Sequence, residues 1–190
     1  SDAAKEALTN IAMQVAAMNP QYISRNDISE EELAKIKDIT TDSALNDATT
    51  LPKPILNKLL DKAINEKLWS EDDIQQFEEH KNNMNYVWNF LSDAAKAKLG
   101  ELAMADKESI VAEKMFAGVV DGRVSKQLKE ICLLDQTYVK AEDGKQSVAK
   151  YLESVSKDIV ITEMVRFEVG EGLEKKNEDF AAEVAAQAGM

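Results

Sequence analysis

The chain has 190 residues, 44% of them apolar and 31% charged, with 35 acidic against 23 basic side chains and a formal net charge of −12. This length and balance read as a globular chain with a core of its own, not a disordered one. An acidic surface repels phosphate backbones, which argues against direct nucleic-acid binding, and no apolar run reaches the ~20 residues of a membrane helix.

From the N-terminus, Asp2 caps a predicted helix to about Met18. Ile11, Val15 and Met18 make one face, and Leu8 and Ala12 widen it. Asn19-Pro20 stops it. Ser29 and Glu32 form a capping box, each side chain satisfying the other's free backbone N–H. The acidic run Glu30 to Glu32 suits the positive end of this second helix. It runs to about Asn46 and carries Leu33, Ile36, Ile39 and Leu45.

Thr50-Leu-Pro-Lys-Pro54 opens a new segment, with Pro54 in a helical first turn where its missing N–H costs nothing. Ile55, Leu56, Leu59, Leu60, Ile64 and Leu68 form a broad apolar stripe. Ser70 and Asp73 cap the next helix, which carries Ile74 and Phe77. Met84, Val87, Trp88 and Leu91 follow, and Ser92 begins another helix with Ala95, Leu99 and Leu102. Residues 49–107 thus read as a helical module with its own small core, to which Trp69, Tyr86 and Trp88 belong.

A long helix returns near Glu108, with Ile110, Met115, Val119, Val124, Leu128 and Ile131. Gly118 and Gly122 each lower helix propensity by about 1 kcal/mol relative to Ala, so a break is expected near Gly122. Thr137–Val139 is a short strand candidate and Glu142-Asp-Gly-Lys145 a turn. Ser147 caps a helix with Val148, Leu152 and Val155. A strand over Val160–Val169 follows, because Arg166 and Glu168 alternate with Val165, Phe167 and Val169. This places Phe167 in the core. Gly170 and Gly172 end the strand. Phe180, Ala181, Val184, Ala185 and Ala188 then recur at helical spacing, opposite Glu178, Asp179 and Glu183.

The expected fold class is α+β, mostly helical. A small antiparallel sheet from Val139 and Val160–Val169 packs on helices, and a protruding antiparallel helical hairpin carries the inserted module. An unpaired sheet edge invites strand addition or dimerisation.

Residues with catalytic chemistry are scarce. His80 is the only histidine, read as a solvent-facing helix residue. Cys132 is the only cysteine, inside the apolar Ile131–Leu134 patch, and reads as a buried packing thiol suited to a reducing compartment. No phosphate-cradling glycine loop is present. Glu71, Asp72 and Asp73 lack the spacing of a calcium loop and read as first-turn acids. No catalytic residue, metal or cofactor is expected.

Several ordered blocks resemble the elongation factor Ts family. They are Ile11-Ala-Met-Gln-Val-Ala-Ala-Met-Asn-Pro-Gln-Tyr-Ile-Ser24, Ile110–Met115, Gly122-Arg123, Glu130-Ile-Cys-Leu-Leu-Asp-Gln136 with Val139-Lys140, and Ile159–Gln187. The resemblance implies the family's C-terminal core subdomain over residues 1–48 and 108–190, interrupted by the 49–107 module. The family's N-terminal domain and its Thr-Asp-Phe-Val subdomain have no counterpart, since Thr41-Asp42 is followed by Ser43. The chain opens at Ser1 without Met, as a piece of a longer protein does, and no secretory or basic transit segment opens it.

By the same resemblance the partner is elongation factor Tu. This part of the family grips the partner's domain 3, and the C-terminal helix reaches its G domain. In the full-length protein the outcome is GDP release and GTP exchange in the cytoplasm. The resemblance implies Gln14 (histidine in some members) as a partner-binding residue; Arg166 and Glu168 read either as an exposed sheet face or as partner-facing, and Phe180 with Val184 as a stripe that docks on its own domain or on the partner. A second reading stays open, in which the helical insert is a docking or dimerisation module that binds another protein or a second copy of the chain.

Overall fold

A computed structural model describes residues 1–172. Nine α-helices form among them: α1 (Asp2–Met18), α2 (Glu30–Asn46), α3 (Lys53–Asn65), α4 (Glu71–His80), α5 (Met84–Val87), α6 (Asp93–Ala105), α7 (Lys107–Val111), α8 (Lys114–Ile131) and α9 (Val148–Val155). Side-chain caps start several of them. Ser29 and Glu32 make the reciprocal box on α2. The hydroxyls of Ser70, Ser92 and Ser147 each accept from the backbone N–H three residues on. Such caps satisfy donors that the helix itself leaves free. α1 is capped by Ser1 instead of Asp2, and ends at Asn19 in the left-handed region, φ 46°, just before Pro20.

The buried apolar residues fall into two clusters. The larger joins α2, α3, α4, α6 and α8, with Leu45, Ile55, Leu99, Phe116 and Val120 at its centre. The smaller joins α1 to α9 through Ala7, Ile11, Val15, Leu133, Tyr138, Val148 and Leu152. Backbone hydrogen bonds tie the two. Tyr22 N–H donates to Ile131 O at 3.0 Å, and Leu133 N–H donates to Tyr22 O at 2.8 Å. Arg25 Nε and Asp135 Oδ2 pair alongside at 2.6 Å.

Residues 49–107 do not core separately from the hairpin arms α2 and α8. Their buried side chains are continuous with Ala44, Leu45, Phe116 and Val120. The small residues of α6 let α2 approach it closely: a Cβ on Gly100 would lie 3.4 Å from the Asn46 Cα. α8 is stitched to α2 by Lys37–Asp121 at 3.2 Å and to the turn after it by Arg123–Asp47 at 3.2 Å.

Three expectations are corrected. No strand or sheet forms among the described residues. Thr137 makes only an isolated antiparallel bridge to Ser147, and Tyr22 an isolated parallel one to Cys132. The Val160–Val169 stretch has the alternation of a strand but no strand beside it among the described residues, and alternation alone supplies none. The helix break also lies elsewhere. α8 runs through Gly118 and Gly122, carried by the buried Phe116, Val120, Val124 and Leu128, and the interruption falls at Ala112–Glu113. In α2, Ile39 faces solvent while Thr40 and Thr41 are buried, their hydroxyls donating to Ile36 O and Lys37 O at 2.7 Å.

Candidate partner-binding surface

α1 carries apolar side chains on more of its circumference than one neighbour covers. Ala7, Ile11, Gln14 and Val15 are buried. Leu8, Met13 and Met18 remain exposed. Ile159, Ile161 and Met164 pack half-buried against the smaller core. Between α1 and this segment runs an open groove of about 220 Å³, lined mainly by Leu8, Ile11, Ala12, Leu133, Ile161 and Met164.

Beyond Met164 the chain turns its apolar side chains outward. Phe167 is 91% exposed and Val169 fully so, with Val165 exposed beside them. Arg166 is half-buried. Its Nη1 donates to Glu168 Oε2 at 2.9 Å. The core position expected for Phe167 is therefore reversed. Among the described residues, the backbone of 160–167 makes no hydrogen bond. Gly170 and Gly172 follow with φ of 88° and 77°, values that favour glycine.

Gln14 does not reach this surface. It is fully buried. Its Nε2 donates to Gln136 Oε1 and to Thr137 O, both at 3.1 Å, and its Oε1 accepts from Val139 N–H at 2.8 Å. It braces α1 against the 136–139 turn, and no hydrogen bond joins it to Arg166 or Glu168. Beside it, Tyr138 stacks on Tyr151 with ring centroids 4.0 Å apart. Burial first, and then the Tyr151 hydroxyl, push the Tyr138 phenol up to about 12. Asn10 Nδ2 donates to that Tyr151 hydroxyl at 2.8 Å. Phe180 and Val184 lie outside the described residues.

Sequence reasoning missed Leu8 and Met13 as surface residues. The signal was present in the width of the α1 stripe. On the insert, Tyr86 and Phe90 are exposed. His80 is half-buried, stacked on Phe90 at 3.5 Å with its Nδ1 on Gln76 O, so it does not face solvent freely. Among the described residues no cluster of His, Cys, Asp or Glu is placed to hold a metal, and no helix is long and apolar enough to cross a membrane.

The class is that of a helical protein with an open apolar groove on α1 that continues to the exposed Val165, Phe167 and Val169. The sequence profile of the Elongation factor TS family matches residues 1–96 and 63–171. Elongation factor Ts of Clostridioides difficile (strain 630) is 33% identical over 180 residues, covering 94% of this chain and 39% of that protein. The Clostridium perfringens (strain 13 / Type A) elongation factor Ts is 34% identical over 188 residues, with 97% and 41% covered. That of Finegoldia magna is 32% identical over 188 residues, with 98% and 60% covered. No solved structure matches. The chain belongs to the elongation factor Ts family, and it spans between 39% and 60% of the length of these relatives.

Proposed function

We propose that this chain is the part of an elongation factor Ts that holds elongation factor Tu, and that within the whole protein it supports GDP release and GTP exchange in the cytoplasm. The observation that carries this reading is the open face of α1 and residues 159–169, in a chain of this family. An exchange factor makes and breaks no covalent bond. It lowers the partner's nucleotide affinity to the extent that it binds the nucleotide-free state more tightly, and linkage makes that coupling reciprocal. Arg166 and Glu168 present charge to the partner from the edge, and Phe180 and Val184 add an apolar stripe. Gln14 acts from within, by holding α1 in place.

The test is a calorimetric titration of this chain into nucleotide-free elongation factor Tu, repeated with excess GDP. Saturable binding weakened by GDP is expected if this part senses the nucleotide state. Binding indifferent to GDP would make it a passive anchor. Absence of binding would overturn the reading.

A further inference from the structure

The groove on α1 is open and apolar, and the last part of the described chain forms one of its walls. Helix α1 lines it with Leu8, Ile11 and Ala12, and the later segment lines it with Ile161, Met164 and Val165. We propose that residues 173–190 of the same chain fold back into this groove and seat Phe180 and Val184 there while the chain is free.

Three observations single out this occupant. The first is direction. Glu171 N–H donates to Glu168 O at 3.0 Å and closes a four-residue turn. Gly170 is its third residue, with φ of 88°, and a type II turn needs φ above zero at that position. Glu168 N–H donates to the Glu171 carboxylate at 3.2 Å and fixes the turn from its other end. The chain therefore leaves this turn reversed, heading back along residues 161–165 toward the groove they line. The second is reach. Phe180 follows Gly172 by eight residues, a span of up to about 28 Å. A tether that short holds its end at roughly millimolar effective concentration, so a contact too weak to retain a separate molecule fills the groove. The third is pattern. Phe180, Ala181, Val184, Ala185 and Ala188 recur at helical spacing, and burying that stripe against an apolar groove removes both from water. Charge agrees, since Glu163 stands beside the groove and Lys175 and Lys176 precede the stripe. Where elongation factor Tu uses the same face, it must first displace the stripe. The docking itself needs no partner and is tested without one.

A nitroxide on Glu183→Cys, on the polar side of that spacing, tests it in the full chain through the methyl signals of the described residues. Cys132 is fully buried, so the label goes to the introduced thiol. The signals of Leu8, Ile161 and Met164 are expected to lose most of their intensity, while those of Leu56 and Leu99 in the larger core keep theirs. Phe180→Asp with Val184→Asp is expected to restore the lost intensity. Leu8→Asp, at an exposed position, is expected to restore most of it at Ile161 and Met164. Full intensity at all three groove residues overturns the proposal. So does a loss that survives Phe180→Asp with Val184→Asp, which would come from the tether alone. A loss transferred in full to isotope-labelled chains mixed with unlabelled, nitroxide-bearing ones also overturns it, and moves the contact to a second copy.

Discussion

Gln14 and Gln136 lie 122 positions apart in the chain and meet inside the smaller core, where Gln14 Nε2 donates to Gln136 Oε1 at 3.1 Å. Gln136 in turn donates through its Nε2 to Glu130 O at 2.7 Å. One relay of side-chain amides therefore runs from α1 to the end of α8. No buried side-chain nitrogen or oxygen among the described residues lacks a partner.

Replacing Gln14 with leucine keeps the volume and removes every bond. Thr137 O, Val139 N–H and the Gln136 amide would then each lose a partner in the interior. Leaving buried polar groups unmet is among the larger single-residue penalties, here about 2–4 kcal/mol. Urea unfolding followed by circular dichroism measures it. A change within about 0.5 kcal/mol, the size of ordinary surface substitutions, would mean that Gln14 faces water.

Asp73 does comparable work in the larger core. It is buried. Its Oδ2 accepts from the Ser70 and Ser92 hydroxyls at 2.7 and 2.8 Å, and its Oδ1 accepts from Ser92 N–H at 2.8 Å. One carboxylate thus links the N-termini of α4 and α6. Burial works against its charge, but the Ser92 N–H and the two hydroxyls prevail and hold its carboxyl below the usual range. A lowered folded value means stability that is full above the unfolded value near ~3.9 and is lost as pH falls through the folded one. Asp73→Asn is expected to cost about 1–3 kcal/mol at neutral pH. That difference closes as the solution is acidified below about pH 4. Trp69 and Trp88 fluorescence reports it, since both indoles belong to this core. A penalty constant from neutral to acid pH would show that the charge is not what matters.

Cys132 offers a probe of the junction between the cores. Its thiol is fully buried, beside the bonds that tie Tyr22 to Ile131 and Leu133. Burial, and then Asp135, push its pKa up. The thiolate is the reactive form, so labelling with a disulfide reagent is expected only at the rate at which this junction opens. Labelling as fast as that of a free thiol would sink the tight junction described above.

The helices were legible because their signals are local. Ser29 and Glu32, three residues apart, cap each other, and the Ser70 hydroxyl caps the Asp73 N–H three residues on, whatever the rest of the chain does. The expected sheet does not form among the described residues, because a strand needs a partner from elsewhere in the sequence and alternation does not supply one. Residues 160–169 kept their alternation yet turned Phe167 outward, and no local rule sets which face goes in. Gln14 was legible as a polar residue on an apolar helix. Its burial depended on Gln136, which no spacing rule brings to it. The break expected at Gly122 fell at Ala112–Glu113 because packing of Phe116, Val120 and Val124 outweighs a weak propensity.

That last contest can be measured. A Cβ added at Gly118 or Gly122 meets nothing within 4 Å. Alanine at either site relieves the entropic cost of glycine in a helix without disturbing a neighbour, so each is expected to stabilise by about 0.5–1 kcal/mol. Gly100 has the same intrinsic preference and the opposite surroundings. Its Cβ would lie 3.2 Å from Asn46 Oδ1 and 3.4 Å from the Asn46 Cα and carbonyl oxygen. The side-chain oxygen can swing aside, but the α2 backbone cannot without disturbing the packing of Ala44 and Leu45. Gly100→Ala is therefore expected to destabilise, since overpacking costs about 1–3 kcal/mol against a propensity gain of under 1. Urea unfolding of the three variants gives the signs directly. Stabilisation at all three sites would mean that α2 and α6 sit further apart than 3.4 Å allows, and that the insert is less firmly joined to the hairpin than the continuous core implies.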